Sequence, residues 1–180
     1  MSDFTTLEKS VVGEILIDEE TLQSRIKEMQ KELEADYGDK QPLFIAVLRG
    51  SVLFFADLVR GLKVDCTMDF MRLSSYEGRT TSGQVVLHSD ISEAVVDRDI
   101  IIVEDIVDTG LTTHFLVERF SEKKPKSIEI CTLLDKPERR ETSIKPKYVG
   151  FSIPNKFVVG YGLDNDQHLR HLPYVGVVRG

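Results

Sequence analysis

Ten residues in the middle of the chain, Val103-Glu104-Asp105-Ile106-Val107-Asp108-Thr109-Gly110-Leu111-Thr112, follow and overlap the apolar run Ile100–Val103. They gather three carboxylates, two hydroxyls and a glycine. A Thr-Gly turn that opens a helix presents unpaired backbone N–H groups, and Thr109 and Thr112 add hydroxyls. Such a turn cradles an anion without any Lys or Arg, because the helix N-terminus supplies the positive end. The Gly-x-x-x-x-Gly-Lys-Ser/Thr and Gly-x-Gly-x-x-Gly patterns are both absent, so the expected occupant is a single monophosphate rather than a triphosphate or dinucleotide. Glu104, Asp105 and Asp108 would repel that anion unless something else requires them. The vicinal hydroxyls of a ribose, a Mg²⁺ ion and a cationic, oxocarbenium-like sugar in glycosyl transfer each would. A plainer account is an acidic cluster complementing the helix dipole, which covers Asp108 and part of Asp105.

The elements that must position these groups are legible in the apolar pattern. Ile100–Val103 is apolar at every position, as central parallel strands are, and a helix is predicted from Leu111 to Ser121. Leu22, Ile26, Met29 and Leu33 recur at helical spacing between Thr21 and Tyr37, ahead of Gly38. Phe44–Leu48 reads as a buried strand closed by Arg49-Gly50, with a helix from Val52 to Leu62 and a strand from Val64 to Leu73. Further strands are predicted at Ser127–Leu134, Tyr148–Ile153 and Phe157–Tyr161. Strand and helix alternate, which gives an α/β class with a mainly parallel sheet and ligands gathered beyond the strands' carboxyl ends. Ser74–Gly83 is small, polar and glycine-punctuated. It reads as a mobile surface loop of lid type, or as a long hairpin connection.

Composition bounds the partners. The 180 residues make about one domain, with 23 basic and 30 acidic side chains and a net charge of −7. That balance argues against nucleic acid and against an anionic membrane surface. No apolar run reaches the length of a membrane span, and the acidic first 20 residues hold no signal core, so a cytoplasmic location is expected. Cys66 and Cys131 stand outside any paired-thiol motif and read as reduced thiols. Residues 1–40 hold 5 basic and 11 acidic groups, whereas residues 123–147 reverse the sign with 8 and 4. Asp99 to Glu118 holds five acids and no Lys or Arg, so any anion bound there is held by amides or a metal.

Val103 to Thr112 resembles the phosphoribosyl-pyrophosphate signature of type I phosphoribosyltransferases. From Leu43 to Val178 the chain resembles the hypoxanthine-guanine phosphoribosyltransferases, particularly the short bacterial forms. The stretches that carry the likeness are Leu48-Arg49-Gly50-Ser51, Ser74-Ser75-Tyr76, Leu133-Leu134-Asp135-Lys136-Pro137 and Phe157-Val158-Val159-Gly160-Tyr161-Gly162-Leu163-Asp164. The resemblance implies one phosphoribosyltransferase domain over 1–180, with a parallel sheet flanked by helices, a lid loop, and a small hood built from the N-terminal segment and about 153–180. It implies purine salvage: Mg²⁺-dependent transfer of the 5-phosphoribosyl group from phosphoribosyl pyrophosphate to a 6-oxopurine base, giving IMP or GMP and pyrophosphate. Asp108 would be the general acid or base at N7, and Asp108, Thr109, Gly110, Leu111 and Thr112 would wrap the 5′-phosphate. Glu104 and Asp105 would hold the ribose hydroxyls and, with Asp164, the metal. Arg49, Gly50, Ser75, Tyr76 and Arg170 would meet pyrophosphate. Lys136, Phe157, Val158 and Asp164 would form the base site, and a homodimer or homotetramer is implied, with the Leu53-Phe54-Phe55 helix as a contact face.

Two features depart from or extend that pattern. Leu111 stands where the family often carries a polar or basic residue, so no side chain there reinforces the phosphate. The family also often has a cis peptide in the loop matched by Arg49 and Gly50. His168 and His171, three apart, read as surface histidines for want of a third ligand. The competing readings are a xanthine-preferring transferase, a nucleotide-sensing RNA-binding regulator on the same fold, and a phospho-acceptor receiver domain built on the Glu104-Asp105 pair with Lys136.

Overall fold

The computed structural model describes the backbone of residues 6–78 and 81–179, and the side chains of these except for 75–84. After a short helix α1 (Thr6–Val11) come β1 (Val12–Ile17), α2 (Glu19–Tyr37), β2 (Leu43–Leu48), α3 (Val52–Arg60), β3 (Thr67–Gly78) and β4 (Thr81–Ser89). They are followed by β5 (Asp99–Val107), α4 (Leu111–Ser121), β6 (Ser127–Asp135), β7 (Tyr148–Ser152), β8 (Val158–Val159) and β9 (Val175–Val178). No described helix is long and apolar enough to cross a membrane.

The main sheet has the order β4-β3-β2-β5-β6-β7. Its pairs are parallel except for the β3–β4 edge. β2 and the Ile100–Val103 part of β5 are apolar at every position because both of their faces are covered. Phe44, Ala46, Ile101 and Val103 join the buried face of α2 and α3, made by Leu22, Ile26, Met29, Leu33, Phe54 and Leu58. Leu43, Ile45, Val47, Ile100 and Ile102 face the other way, onto Leu116 and Phe120 of α4. Asp18 caps α2 by accepting a hydrogen bond from the Thr21 N–H at 2.8 Å. A second, three-stranded antiparallel sheet, β1-β9-β8, joins the two ends of the chain.

Three expectations need revision. The strand predicted at Ile100–Val103 runs on to Val107, because its backbone stays paired with β6 through Glu104↔Thr132, Ile106↔Leu134 and Val107↔Asp135. Glu104 and Asp105 therefore lie within the strand rather than just past its end. Of the two readings of Ser74–Gly83, the described backbone follows the hairpin rather than the loop: β3 and β4 form an antiparallel ribbon whose pairing reaches Gly78↔Thr81, while residues 79 and 80 lie outside the described residues. Finally, Phe54 and Phe55 of α3 are buried and present no contact face. Leu53 and Val52 are exposed instead, as are Met68 and Phe70 of β3, and the Phe70 ring meets Phe55 edge-on at 5.4 Å.

Topology fixes where a ligand can bind. From β2 the chain crosses to β3 on one side, while β5, β6 and β7 succeed one another on the other. The β2/β5 boundary is thus the switch point of the sheet, where a crevice opens beyond the strand ends. Pairing between β2 and β5 ends at Ala46↔Val103. From Glu104 onward, the β2-side edge of β5 faces the turn after β2.

Candidate active site

A cleft of about 860 Å³ occupies that crevice, within the usual range for small-molecule sites. It is lined by Arg49 and Gly50 after β2, Glu104 to Thr113 along β5 and the start of α4, and Asp164, Gln167 and Arg170 after β8. Of the expected site residues it brings together Arg49, Gly50, Glu104, Asp105, Asp108, Thr109, Gly110, Leu111, Thr112, Asp164 and Arg170.

The turn after β2 contains a cis peptide, at Leu48–Arg49. The bond lies one residue earlier than the Arg49–Gly50 link matched to the family's cis-peptide loop by resemblance. Ser51 steadies this turn by donating its hydroxyl to Val47 O at 2.6 Å. Gly162 (φ +101°) packs its Cα side onto the turn, and a Cβ there would lie 1.9 Å from Gly50 O. Only glycine meets both conditions.

Arg49 and Arg170 approach from opposite walls and share one acceptor, Gln167 Oε1, at 2.8 and 3.1 Å. Arg170 also donates to Gly162 O at 2.7 Å and pairs with Asp164 Oδ1 at 2.7 Å. The other Asp164 oxygen accepts the Gln167 N–H at 2.8 Å. Gln167 has no precedent in the sequence reading; its backbone is left-handed (φ 66°), and nothing in its neighbours' types signals it.

Glu104 is buried, and no ion pair or hydrogen bond reaches its carboxylate from the described residues. Burial first, and then the neighbouring Asp105 charge, push the Glu104 carboxyl well above its ordinary value. Burial also pushes Asp105 up to about 6, with Asp164 adding to the rise, while the N–H groups of Ile106 and Asp105 itself and the Arg170 charge oppose it. A buried and a half-buried carboxylate short of positive charge, opening on a cleft, suit a divalent cation that takes its other ligands from a phosphorylated substrate. Among the described residues, no group of three His, Cys, Asp or Glu converges as a metal cage. Asp164, expected as a third ligand, has both oxygens engaged within the protein.

Asp108 stands at the end of β5, just before Gly110, the residue that caps α4. Its Oδ2 lies 3.4 Å from Lys136 Nζ, and its Oδ1 lies 3.1 Å from Arg139 Nε. The Arg139 approach to Oδ1 is off-axis, so that buried oxygen receives no aligned hydrogen bond. Behind it, Arg140 pairs with Asp135 and donates to Asp108 O (3.2 Å), Val107 O (3.3 Å) and Ile144 O (3.1 Å). Arg139 and Arg140 escaped the sequence reading because they sit in a charge-rich segment that looks like solvated surface.

The base-site residues are less assembled. Lys136 is buried at the back of Asp108 but does not line the cleft; nor do Phe157 and Val158. Val158 is buried in β8, paired with Val177, whereas Phe157 is 59% exposed. Ser75 and Tyr76 follow β3 in backbone, but their side chains lie outside the described residues. His168 and His171 are exposed.

Known proteins share this arrangement. Residues 13–166 match the phosphoribosyl transferase domain family. The hypoxanthine-guanine phosphoribosyltransferase of Bacillus subtilis is 48% identical over 172 residues, covering 95% of this chain and 96% of that protein. Among solved structures, a hypoxanthine phosphoribosyltransferase from Staphylococcus aureus superposes with a TM-score of 0.93 at 39% identity, over 99% of this chain and 97% of that one. A hypoxanthine-guanine phosphoribosyltransferase from Bacillus anthracis gives 0.89 at 46% identity, over 93% and 99%. With its switch-point cleft, neighbouring carboxylates on β5 and Thr-Gly turn at the start of α4, this chain belongs to the phosphoribosyltransferase family, among the hypoxanthine-guanine phosphoribosyltransferases.

Proposed function

We propose that the protein transfers the 5-phosphoribosyl group of phosphoribosyl pyrophosphate to N9 of hypoxanthine and guanine, giving IMP or GMP and pyrophosphate in purine salvage. One observation carries this reading: buried Glu104 and half-buried Asp105 near the end of β5, neither met by a described ion pair, stand in one cleft with the turn that opens α4, Asp105 six residues before Leu111. The first feature suits a ribosyl cation and its hydroxyls, the second a phosphate.

In this reading the N–H groups of Thr109 to Thr112 hold the 5′-phosphate, and Glu104 and Asp105 accept from the ribose hydroxyls. Arg49, Gly50 and Arg170 receive the pyrophosphate. Purine N9 bonds to C1 as the C1–O bond breaks, the bonding pair leaving with pyrophosphate, and the proton on N7 passes to the Asp108 carboxylate. Negative charge fixed at Glu104 and Asp105 stabilises the cationic sugar between the two partial bonds. Mg²⁺ held by Glu104 and Asp105 would neutralise the departing pyrophosphate. Lys136 would donate to the 6-oxo group, with Phe157 stacking on the base and Val158 and Asp164 at its edge. Phe157 stands exposed until a base covers it.

The three-stranded sheet formed by the chain ends serves as the hood over the base, and the β3–β4 ribbon, with Ser75 and Tyr76, serves as the lid. Val52 and Leu53 of α3 and Met68 and Phe70 of β3 are exposed apolar side chains that would suit a second copy of the chain, in a homodimer or homotetramer. The free thiols of Cys66 and Cys131 fit a cytoplasmic setting. The test is direct: supply phosphoribosyl pyrophosphate, Mg²⁺ and hypoxanthine, guanine or xanthine in turn, and follow pyrophosphate release. Turnover with hypoxanthine and guanine is expected; release with none of the bases, or with xanthine alone, overturns the assignment.

A further inference from the structure

Asp108 is held by two cations, Lys136 and Arg139, although one carboxylate balances only one of them. Its neighbours Arg140 and Asp135 neutralise each other. The corner where β5 meets α4 therefore sets two cations against one carboxylate, with Glu141 also lining this side of the cleft, beside the Asp99 to Glu118 stretch, which has no Lys or Arg of its own. The other cations of the cleft, Arg49 and Arg170, are tied to Gln167 and Asp164 on the opposite wall. Among the described cleft-lining residues, Arg139 is the cation on the phosphate-loop side.

The two cations on Asp108 differ in freedom. Lys136 has a side chain only 6% exposed and is fixed at the back, whereas the Arg139 side chain is 44% exposed. Arg139 ends a single 3-10 turn, Pro137–Arg139; its Nε approaches Asp108 Oδ1 off-axis, and its one hydrogen bond to the carboxylate, from Nη1 to Oδ2, is long at 3.4 Å. A guanidinium so loosely paired exchanges a carboxylate for a dianionic phosphate readily, since the phosphate offers more charge and bidentate geometry. Asp108, in turn, must give up one cation before it can face a base.

We infer that Arg139 is the side-chain cation of the 5′-phosphate pocket, parked on Asp108 while the pocket is empty and drawn onto the phosphate when it fills, freeing Asp108 to meet the purine. This deepens, and rests on, the phosphoribosyl reading above. It supplies the cation that Leu111 does not, and it links filling of the phosphate pocket to release of the acid–base group.

The test is calorimetric titration of the full chain with ribose 5-phosphate, which needs neither turnover nor metal. Arg139→Ala should bind it about tenfold to a hundredfold more weakly, the usual loss for a charge-assisted contact, and Arg139→Lys should recover part of that. Asp108→Asn, which no longer competes for the guanidinium, should bind it more tightly than the wild type. Arg139→Ala with unchanged ribose 5-phosphate affinity, its defect confined to kcat, overturns the inference and leaves Arg139 as a positioning residue for Asp108 alone. If the wild type itself neither binds ribose 5-phosphate nor releases pyrophosphate with any base, the phosphoribosyl reading falls and the inference falls with it.

Discussion

The backbone of Gly50 lies so close against the Asp105 carboxylate that a Cβ on Gly50 would stand 1.5 Å from Asp105 Oδ2. The turn after β2 and the acid on β5 are thus one rigid unit, built where pairing between the two strands has stopped. Neither can move without the other.

Gly50→Ala should accordingly damage the site more than the fold. The methyl has to push Asp105 or its own turn aside by more than an ångström, and misplacements of that size cost about a hundredfold in rate. Steady-state kinetics should show the fall in kcat/KM alongside a retained cooperative thermal transition. A variant with wild-type turnover would mean that the turn gives way freely.

How far the sequence alone exposed this unit depends on where its parts sit in the chain. The contiguous part, Glu104 to Thr112, was legible because its chemistry is written in neighbouring residues. Its position was misread: Glu104-Asp105 interrupts the apolar run, and only pairing with β6 keeps the strand going to Val107. β1 and β9 were missed because each is stabilised by a partner more than 150 residues away, with Ile15 opposite Gly176 and Ile17 opposite Val175. Gln167, Arg139 and Arg140 reach the cleft from other segments. The local pattern around Arg139 and Arg140, 8 basic and 4 acidic groups between 123 and 147, is that of an ordinary solvated surface.

The raised carboxyls make a stability prediction for the ligand-free protein. Burial lifts Asp105 from 3.8 in an unperturbed chain to about 6, so the folded state takes up its proton more readily than the unfolded chain does. The stabilisation this brings is present below about pH 4 and is lost as pH rises through about 6. Asp105→Asn has no such loss, and it can still accept the Ile106 N–H that Asp105 Oδ1 accepts at 2.8 Å. Its melting temperature should match the wild type near pH 4 and exceed it by several degrees at pH 7.5, for a difference of up to about 3 kcal/mol. Parallel melting curves across that range would show that Asp105 ionises normally. Glu104→Gln should shift in the same direction.

Arg140 braces the phosphate turn from behind, and its loss should be felt as stability. Its side chain is 12% exposed, and it pairs with Asp135, itself 14% exposed, while donating to three backbone carbonyls. Arg140→Ala leaves the Asp135 carboxylate without its cation, at a cost of about 3–5 kcal/mol. Arg140→Lys restores the charge but not the fork of donors, and should recover only part of the loss. Urea unfolding of the three proteins gives the order directly; equal midpoints for Arg140→Ala and wild type would remove Arg140 from its bracing role.

Asp108→Asn separates chemistry from binding. Asn keeps the shape of the side chain, and loss of the carboxylate charge frees Arg139 rather than stranding it, since a half-exposed guanidinium is readily solvated. Lys136, buried and 3.4 Å away, loses its partner and so bears most of the change. The fold and the KM for phosphoribosyl pyrophosphate should therefore survive, the KM equal to or below that of the wild type. The proton on N7 no longer has an acceptor of suitable basicity, so kcat should drop by about 10²–10⁴, the range for a lost general acid or base. Rapid-quench kinetics on the variant should show substrate bound but not converted. Near wild-type kcat would move the proton transfer to another group or to water, and would leave Asp108 as no more than the resting place of Arg139.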